Sequence, residues 1–343
     1  MPAAIDDLFA HRPLTDDPGW FDRFYMNIHS PSTDLTLSLG MGRYPQVGVI
    51  DGFASLVGPV GQQRNFRASR EALAREGGLE AGPLSAEIVE PLRRWRLRLG
   101  DNDMGFSYDF EFDGDVAPID AGRIERRSRK TGALLDWSHF VQVGRVQGRL
   151  VIDGAVRELA PDAWYGVRDR SWGIRPGAGV EPPREAPSPT AGRHDWVFGR
   201  IGDRAVFYLL SGGGSRGPHL LGAGLSGPRG EAKVTAVERV LDWDERGRFR
   251  GARATLRTDG GETIGLTAHA PTATIYLRGG LYGGWRGLAQ GMPRGGSLVC
   301  EGERWATSDP KVLAEVAGLN DHLCRFESEL ASGFGIYEVA SGI

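Results

Sequence analysis

The chain has 343 residues, a net charge of −3, 40% hydrophobic and 25% charged residues, values ordinary for folded soluble proteins. At roughly 100–200 residues per domain the length points to two domains. No run of about 18 apolar residues is present to form a membrane span. The arginine clusters at Arg93, Arg94, Arg96 and Arg98 and at Arg126, Arg127 and Arg129 have acids nearby, not the basic excess of a nucleic-acid surface.

The start, Met1 to Pro13, contains Asp6, Asp7 and Pro13 and no apolar stretch, unlike a signal peptide. The cysteines, Cys300 and Cys324, fit no zinc spacing and read as buried thiols or as one bridge. Together these features predict a cytoplasmic protein. Leu35, Leu37, Leu39 and Met41 then alternate with polar or small residues, the mark of a half-buried strand. Ala68 to Arg75 is predicted as a short helix.

Trp95, Leu97 and Leu99 alternate with Arg94, Arg96 and Arg98. After the turn-rich stretch 100–105, Phe106, Tyr108, Phe110 and Phe112 alternate with Ser107, Asp109 and Glu111. Folded as a hairpin with Leu99 opposite Phe106, one face is aromatic and the other pairs Arg96 with Asp109 and Arg94 with Glu111. Both kinds of cross-strand pair favour that register. Further hairpins are predicted at Gly148–Leu159, turning at Asp153-Gly154, and at Ala252–His269, turning at Asp259-Gly260-Gly261.

Five prolines and three glycines from Pro176 to Gly192 predict an extended linker. Two β-domains follow, 1–176 and 193–343, with 177–192 between them. In the second, Ala205 to Leu210 reads as a buried strand, Gly212 to Gly214 as a turn and Lys311 to Leu319 as a short helix. The expected fold class is all-β: two barrels or sandwiches with few helices.

The segment Trp164 to Pro176, WYGVRDRSWGIRP, is the densest in chemically capable side chains. If it is extended, Asp169 shares a face with Val167 and Ser171, while Arg168, Arg170 and Trp172 face the other way. A carboxyl among apolar neighbours keeps its proton to higher pH, which a general acid working near neutrality requires. The alternative is that Asp169 pairs with a neighbouring arginine or caps a turn.

None of the seven histidines has metal-ligand spacing. His139, Asp169 and Ser171 are the residue types of a hydrolytic triad, but no GxSxG elbow surrounds Ser171. Tyr282 and Trp285 lie in a glycine-rich stretch, LRGGLYGGWRG. They either line a pocket mouth, where ring faces could steady a cation, or fill space that glycine leaves empty.

YGVRDRSWGIRP resembles the Tyr-x-Asp-His-x-Trp-Gly signature of the hydroxyneurosporene synthase (carotenoid 1,2-hydratase) superfamily, with Arg170 standing where the family has His. HFVQVGRVQGRLVIDG at 139–154 and GFGIYEV at 333–339 resemble that family's flanking strand and last strand. The resemblance implies two lipocalin-like β-barrel domains. It also implies an apolar ligand, terpenoid, steroid-like or fatty, since the group includes hydratases and decalin-forming cyclases.

The expected activity is hydration, dehydration, isomerisation or cyclisation without a cofactor. Asp169 would be the acid. Tyr165, Trp172, Tyr282 and Trp285 would shape the site, and Arg168, Arg170 or Arg175 would hold a polar end of the ligand or only anchor the strand. Two other readings stand beside it: a non-catalytic lipid or isoprenoid carrier, and an interaction module whose barrels are filled by side chains.

Overall fold

A computed structural model describes residues 7, 15–30, 35–58, 61–72, 78–127, 134–175, 194–212 and 218–340. The predicted linker and most of the glycine run at 212–214 lie outside these residues. The chain runs through β1 (Trp20–His29), β2 (Thr36–Tyr44), β3 (Val49–Gly58), β4 (Gln62–Glu71), β5 (Leu79–Ala81), β6 (Leu84–Glu90), β7 (Arg94–Leu99), β8 (Phe106–Asp113), β9 (Ile119–Arg127), β10 (Leu134–Ile152), β11 (Ala155–Leu159) and β12 (Tyr165–Ile174). It continues through β13 (His194–Ile201), β14 (Arg204–Ser211), β15 (His219–Gly227), β16 (Gly230–Trp243), β17 (Phe249–Thr258), β18 (Thr263–Ala268), β19 (Ala273–Tyr276), β20 (Val299–Ala306), α1 (Pro310–Val316), β21 (Leu319–Glu327) and β22 (Ser332–Ala340). The fold is all-β, as the alternation predicts, and lipocalin-like, as the resemblance implies.

The second half closes on itself. Strands β13 to β18 run in order, β22 returns to β13 and β21 bridges β22 to β18, so eight strands form a barrel without a free edge in the ring. Its interior is filled by side chains such as Tyr208, Leu256, Phe326 and Tyr337. The first half is a curled half-barrel in the order β4-β3-β2-β1-β12-β10-β8-β7-β6-β5. One strand from the second half, β20, pairs with β4 and extends this sheet, Val299 standing opposite Ser69.

Strand β10 is 19 residues long and serves two neighbours on each side in succession. It pairs with β12 over Asp136–Arg145 and then with β11, and with β9 over Leu134–Val141 and then with β8. Gly148 marks the handover. It has φ +149, and a Cβ there would meet the Asp109 carbonyl oxygen at 2.4 Å.

The two units meet through outward faces that are themselves apolar. Val141, Val143 and Val167 pack against Trp196, Phe198, Phe207 and Ile336. That explains a departure from expectation in β2. Alternation predicts a half-buried strand, but every residue of β1 and β2 is buried, because one face meets the half-barrel core and the other faces the second unit.

Two further expectations are corrected. Residues 68–71 continue β4 and are not helical, since Ala68 and Ser69 pair with both β3 and β20. The β7–β8 hairpin sets Leu99 opposite Tyr108, Leu97 opposite Phe110 and Trp95 opposite Phe112, a slip of two residues. An even slip keeps both faces intact, and Arg96 still reaches Asp109, diagonally, at 3.0 Å. The cause is the loop. The Asn102 side-chain amide donates to the Gly100 and Phe106 carbonyls at 2.9 and 2.7 Å, which draws Phe106 into the loop on the β7 side while it still pairs with Ile152 of β10 on the other.

The hairpins turning at Asp153-Gly154 and at 259–261 form as predicted. So does the helix near Lys311, where the Asp309 side chain accepts the Lys311 amide at 2.8 Å and Pro310 occupies the first turn. Cys300 is exposed and Cys324 buried, both as free thiols. Among the described residues no helix is long and apolar enough to cross a membrane.

Candidate active site between the two units

A cavity of about 280 Å³ opens between the half-barrel and the barrel. Strand alternation decides what reaches it. On β1, Phe24, Met26 and Ile28 point into the half-barrel core, so Arg23 and Tyr25 point outward to the cavity. On β12 the same rule turns Asp169 and Ser171 to the cavity and Arg168 and Arg170 to the core. Tyr25 stands directly across from Asp169 in the sheet. Leu135 and Trp137 of β10, and Arg175 just after β12, complete this wall.

The barrel contributes the opposite wall through His194 and Trp196 of β13, Leu209 of β14, Leu221 of β15 and Glu338 of β22. Tyr282, after a short 3₁₀ turn at Leu277–Gly280, closes the side. Its ring stands edge-on to Tyr25 and to Phe53, at 6.3 and 6.0 Å.

Asp169 is half-buried, and its Oδ1 is buried with no hydrogen-bond partner among the described residues. Loss of water around the carboxyl pushes its pKa up to about 7, although the positive charges of Arg175 and Arg23 pull the other way. Near neutral pH the group therefore carries a proton for much of the time and has no internal acceptor for it.

A second acid cluster faces it. The His194 imidazole lies 2.7 Å from Glu338 Oε1. Asp321 stands across the β21–β22 pair from Glu338, and desolvation together with that neighbouring carboxylate holds its carboxyl well above the usual range. The Tyr25 hydroxyl donates to Asp321 and accepts from Ser38 Oγ at 2.6 Å. A chain of polar groups thus runs from the half-barrel through Tyr25 into the barrel wall.

The structure brings together two of the sequence-predicted residues, Asp169 and Tyr282, and places five elsewhere. Arg168 is fully buried on the core face. Its Nη1 reaches both oxygens of Asp7 at 3.0 Å, its Nη2 donates to Gln142 at 2.5 Å, and Trp95, Phe112 and Phe140 surround it. Arg170 pairs with Asp22 and lies 5.4 Å from the Trp172 ring, and Trp172 packs edge-on to Phe140. Tyr165 lies under the Arg145 guanidinium. Trp285 is buried against Trp305 at 5.3 Å. All five lie off the cavity lining.

His139 and Ser171 do stand opposite each other in the sheet. Neither imidazole nitrogen has a hydrogen-bond partner among the described residues, and burial lowers the His139 pKa to about 3, so no triad is assembled. Among the described residues no three His, Cys, Asp or Glu side chains group as metal ligands. Arg175, the third arginine expected to hold a polar end of the ligand, also lines the cavity, whereas Arg23, His194 and Glu338 are cavity residues that sequence reasoning did not single out. Glu338 does carry a faint signal, a lone charge within an otherwise apolar strand; Arg23 has Asp22 beside it in β1.

Residues 9–341 match a family of unknown function, DUF8625, and the chain belongs to it. No curated protein is significantly similar in sequence. Among solved structures, kievitone hydratase from Nectria haematococca shares the fold at 12% identity and a TM-score of 0.51, over 93% of this chain and 88% of that one. CghA in complex with Sch210972 aligns at 13% identity and a TM-score of 0.47, over 99% and 94%. At that identity the likeness to kievitone hydratase is one of fold.

Proposed function

We propose that the protein binds an apolar small molecule in the cavity between its two units and transforms it by acid catalysis, with Asp169 as the proton donor. The observation that carries this reading is the desolvated Asp169 carboxyl, its Oδ1 unpartnered among the described residues, facing an aromatic-lined space. A protein that merely stored an apolar ligand would gain nothing from a desolvated acid there. The shared fold with a protein named as a hydratase supports the same direction.

In the hydration sense, Asp169 gives its proton to one alkene carbon, forming a C–H bond as the π bond breaks. The Trp196 ring, which lines the cavity, steadies the cation at the other carbon. Water adds there, and Glu338, seated on the opposite wall against His194, accepts the proton that the water loses. Run backwards, the same steps expel water. With a second alkene attacking in place of water, a ring closes and the new cation loses a neighbouring proton to Glu338; with no addition at all, loss of a different neighbouring proton to Glu338 shifts the double bond. The ligand is expected to be terpenoid, steroid-like or fatty, and the reaction to take place in the cytoplasm.

The test is native mass spectrometry of the purified protein, then solvent extraction and incubation of whatever is released. Wild type should convert the extracted compound, while Asp169→Asn should bind it and leave it unchanged. Equal conversion by Asp169→Asn would end the acid assignment. Tight binding with no conversion by wild type would make the protein a carrier.

A further inference from the structure

The cavity wall holds two guanidinium groups, of Arg175 and Arg23, that make no direct ion pair with a carboxylate among the described residues. Arg175 lies with its guanidinium 4.9 Å from the ring centroids of both Phe21 and Trp137, and it makes no ion pair among the described residues. Arg23, beside it, is buried. It donates to the Tyr282 hydroxyl at 2.9 Å and to the Gln290 amide oxygen, both neutral groups. The Gln290 amide is in turn fixed on the Gly280 carbonyl at 2.7 Å, so the arrangement is braced.

None of the nearby acids contacts them directly: Asp169 acts on both guanidiniums and Asp51 on Arg23 without a hydrogen bond or close ion pair among the described residues, and Glu338 is engaged by His194. The two positive charges also oppose each other: burial, and then the charge of Arg23, lower the pKa of Arg175. Buried charge without a partner is expensive and is normally matched by an opposite charge. Elsewhere this protein obeys that rule, as with Arg168 on Asp7 and Arg67 on Glu301 and Glu303. At the cavity the missing partner has to arrive with the ligand.

We infer that the substrate is an amphiphilic organic acid whose carboxylate, or an equivalent enolate or phenolate oxygen, lies on Arg175 and Arg23 while its apolar body lies along Leu135, Leu209, Leu221 and Trp196. This rests on the acid-catalysis reading for its setting and narrows the substrate class. Guanidinium presents a planar fork suited to a carboxylate. The ring sandwich around Arg175 fixes the plane of that fork and leaves its edge for the ligand. The cavity's modest volume, about 280 Å³, sits at the lower end of small-molecule sites and suits one head group with a short isoprenoid or fatty body.

The experiment compares geranic acid with geraniol, a matched pair differing in the head group. Binding is followed by quenching of tryptophan fluorescence at pH 6, where a simple carboxylic acid is ionised. Wild type should bind geranate at least about tenfold more tightly than geraniol, the size expected of hydrogen bonds to charged groups. Arg175→Gln should abolish the preference without weakening geraniol binding. Arg175→Lys, which keeps the charge and guards against a folding artefact, should retain part of it.

Equal affinity of wild type for the two compounds overturns the inference and leaves an apolar cavity with its acid intact. A preference that survives in folded Arg175→Gln overturns it as well. Failure of both compounds to bind removes the apolar-cavity reading itself, and this inference with it. The acid assignment is judged separately, by Asp169→Asn turnover.

Discussion

Strand β12 carries buried charge on both its faces, and the two faces are treated in opposite ways. On the core side Arg168 is wrapped by Asp7, Gln142 and three aromatic rings, and Arg170 is matched to Asp22. On the cavity side Asp169 has an Oδ1 without a partner, and Arg175, just beyond the strand, meets rings instead of carboxylates. Both faces are desolvated, so burial alone does not mark a site. The difference lies in satisfaction. Where the fold answers each charge internally the residue holds the sheet together, and where it leaves one open the residue waits for a ligand.

The sharpest way to test that division is to remove the charge on each face in turn. Asp169→Asn should lower kcat by about 10²- to 10⁴-fold, the usual contribution of a general acid, with little change in ligand affinity or in the unfolding midpoint at pH 4. Arg168→Met should do the reverse. It strands Asp7 in the core and should cost about 3–5 kcal/mol in urea unfolding, and replacing Asp7 by Leu as well should recover much of the loss. A catalytic defect in a folded Arg168→Met protein comparable to that of Asp169→Asn would break the comparison.

The pH dependence sharpens it further. A carboxyl whose folded pKa is raised binds its proton more tightly in the native state, so its contribution to stability is present at low pH and lost as pH rises to the folded value. For Asp169 that window runs from about 4 to about 7. Across it wild type should lose stability relative to Asp169→Asn by more than about 1 kcal/mol, with no further loss above. The charged and titratable groups facing Asp169 are Arg23 and Tyr25 on β1, His139 on β10, Arg175, Tyr282, and His194 and Glu338 from the barrel. Of these, His194 is the one to hold constant in that experiment. Asp51, also desolvated and raised to about 6, acts in the same direction in both proteins and cancels in the difference.

The smallest effect belongs to the solvent-exposed charges. Arg257 and Glu238 lie 2.7 Å apart across β17 and β16, both open to water, and Glu238→Ala should change stability by less than about 1 kcal/mol.

Alternation made much of this legible. It indicated the strands and hairpins, and it oriented Asp169 correctly with Val167 and Ser171, away from Arg168 and Arg170. What it could not supply were partners distant in sequence. Asp7 reaches Arg168 across 161 positions and the Arg23–Tyr282 bond spans 259, so whether an inward or outward charge is answered depends on closure of the whole fold. The same limit applies to Trp285, whose glycine-rich setting suggested a pocket mouth but whose ring is met by Trp305 of β20. Glu338 and Asp321 escaped notice because each looks like an ordinary strand residue until β21 and β22 pair.

The measurement that goes most directly to the central claim is carbon-13 NMR of protein labelled at aspartate carboxyl carbons, titrated between pH 4 and 9 in wild type and Asp169→Asn. One carboxyl titrating near pH 7 and missing from Asp169→Asn is the predicted result. If the resonance lost in that variant instead titrates in the ordinary range near 4, Asp169 is ionised at neutral pH and is not the acid of this cavity.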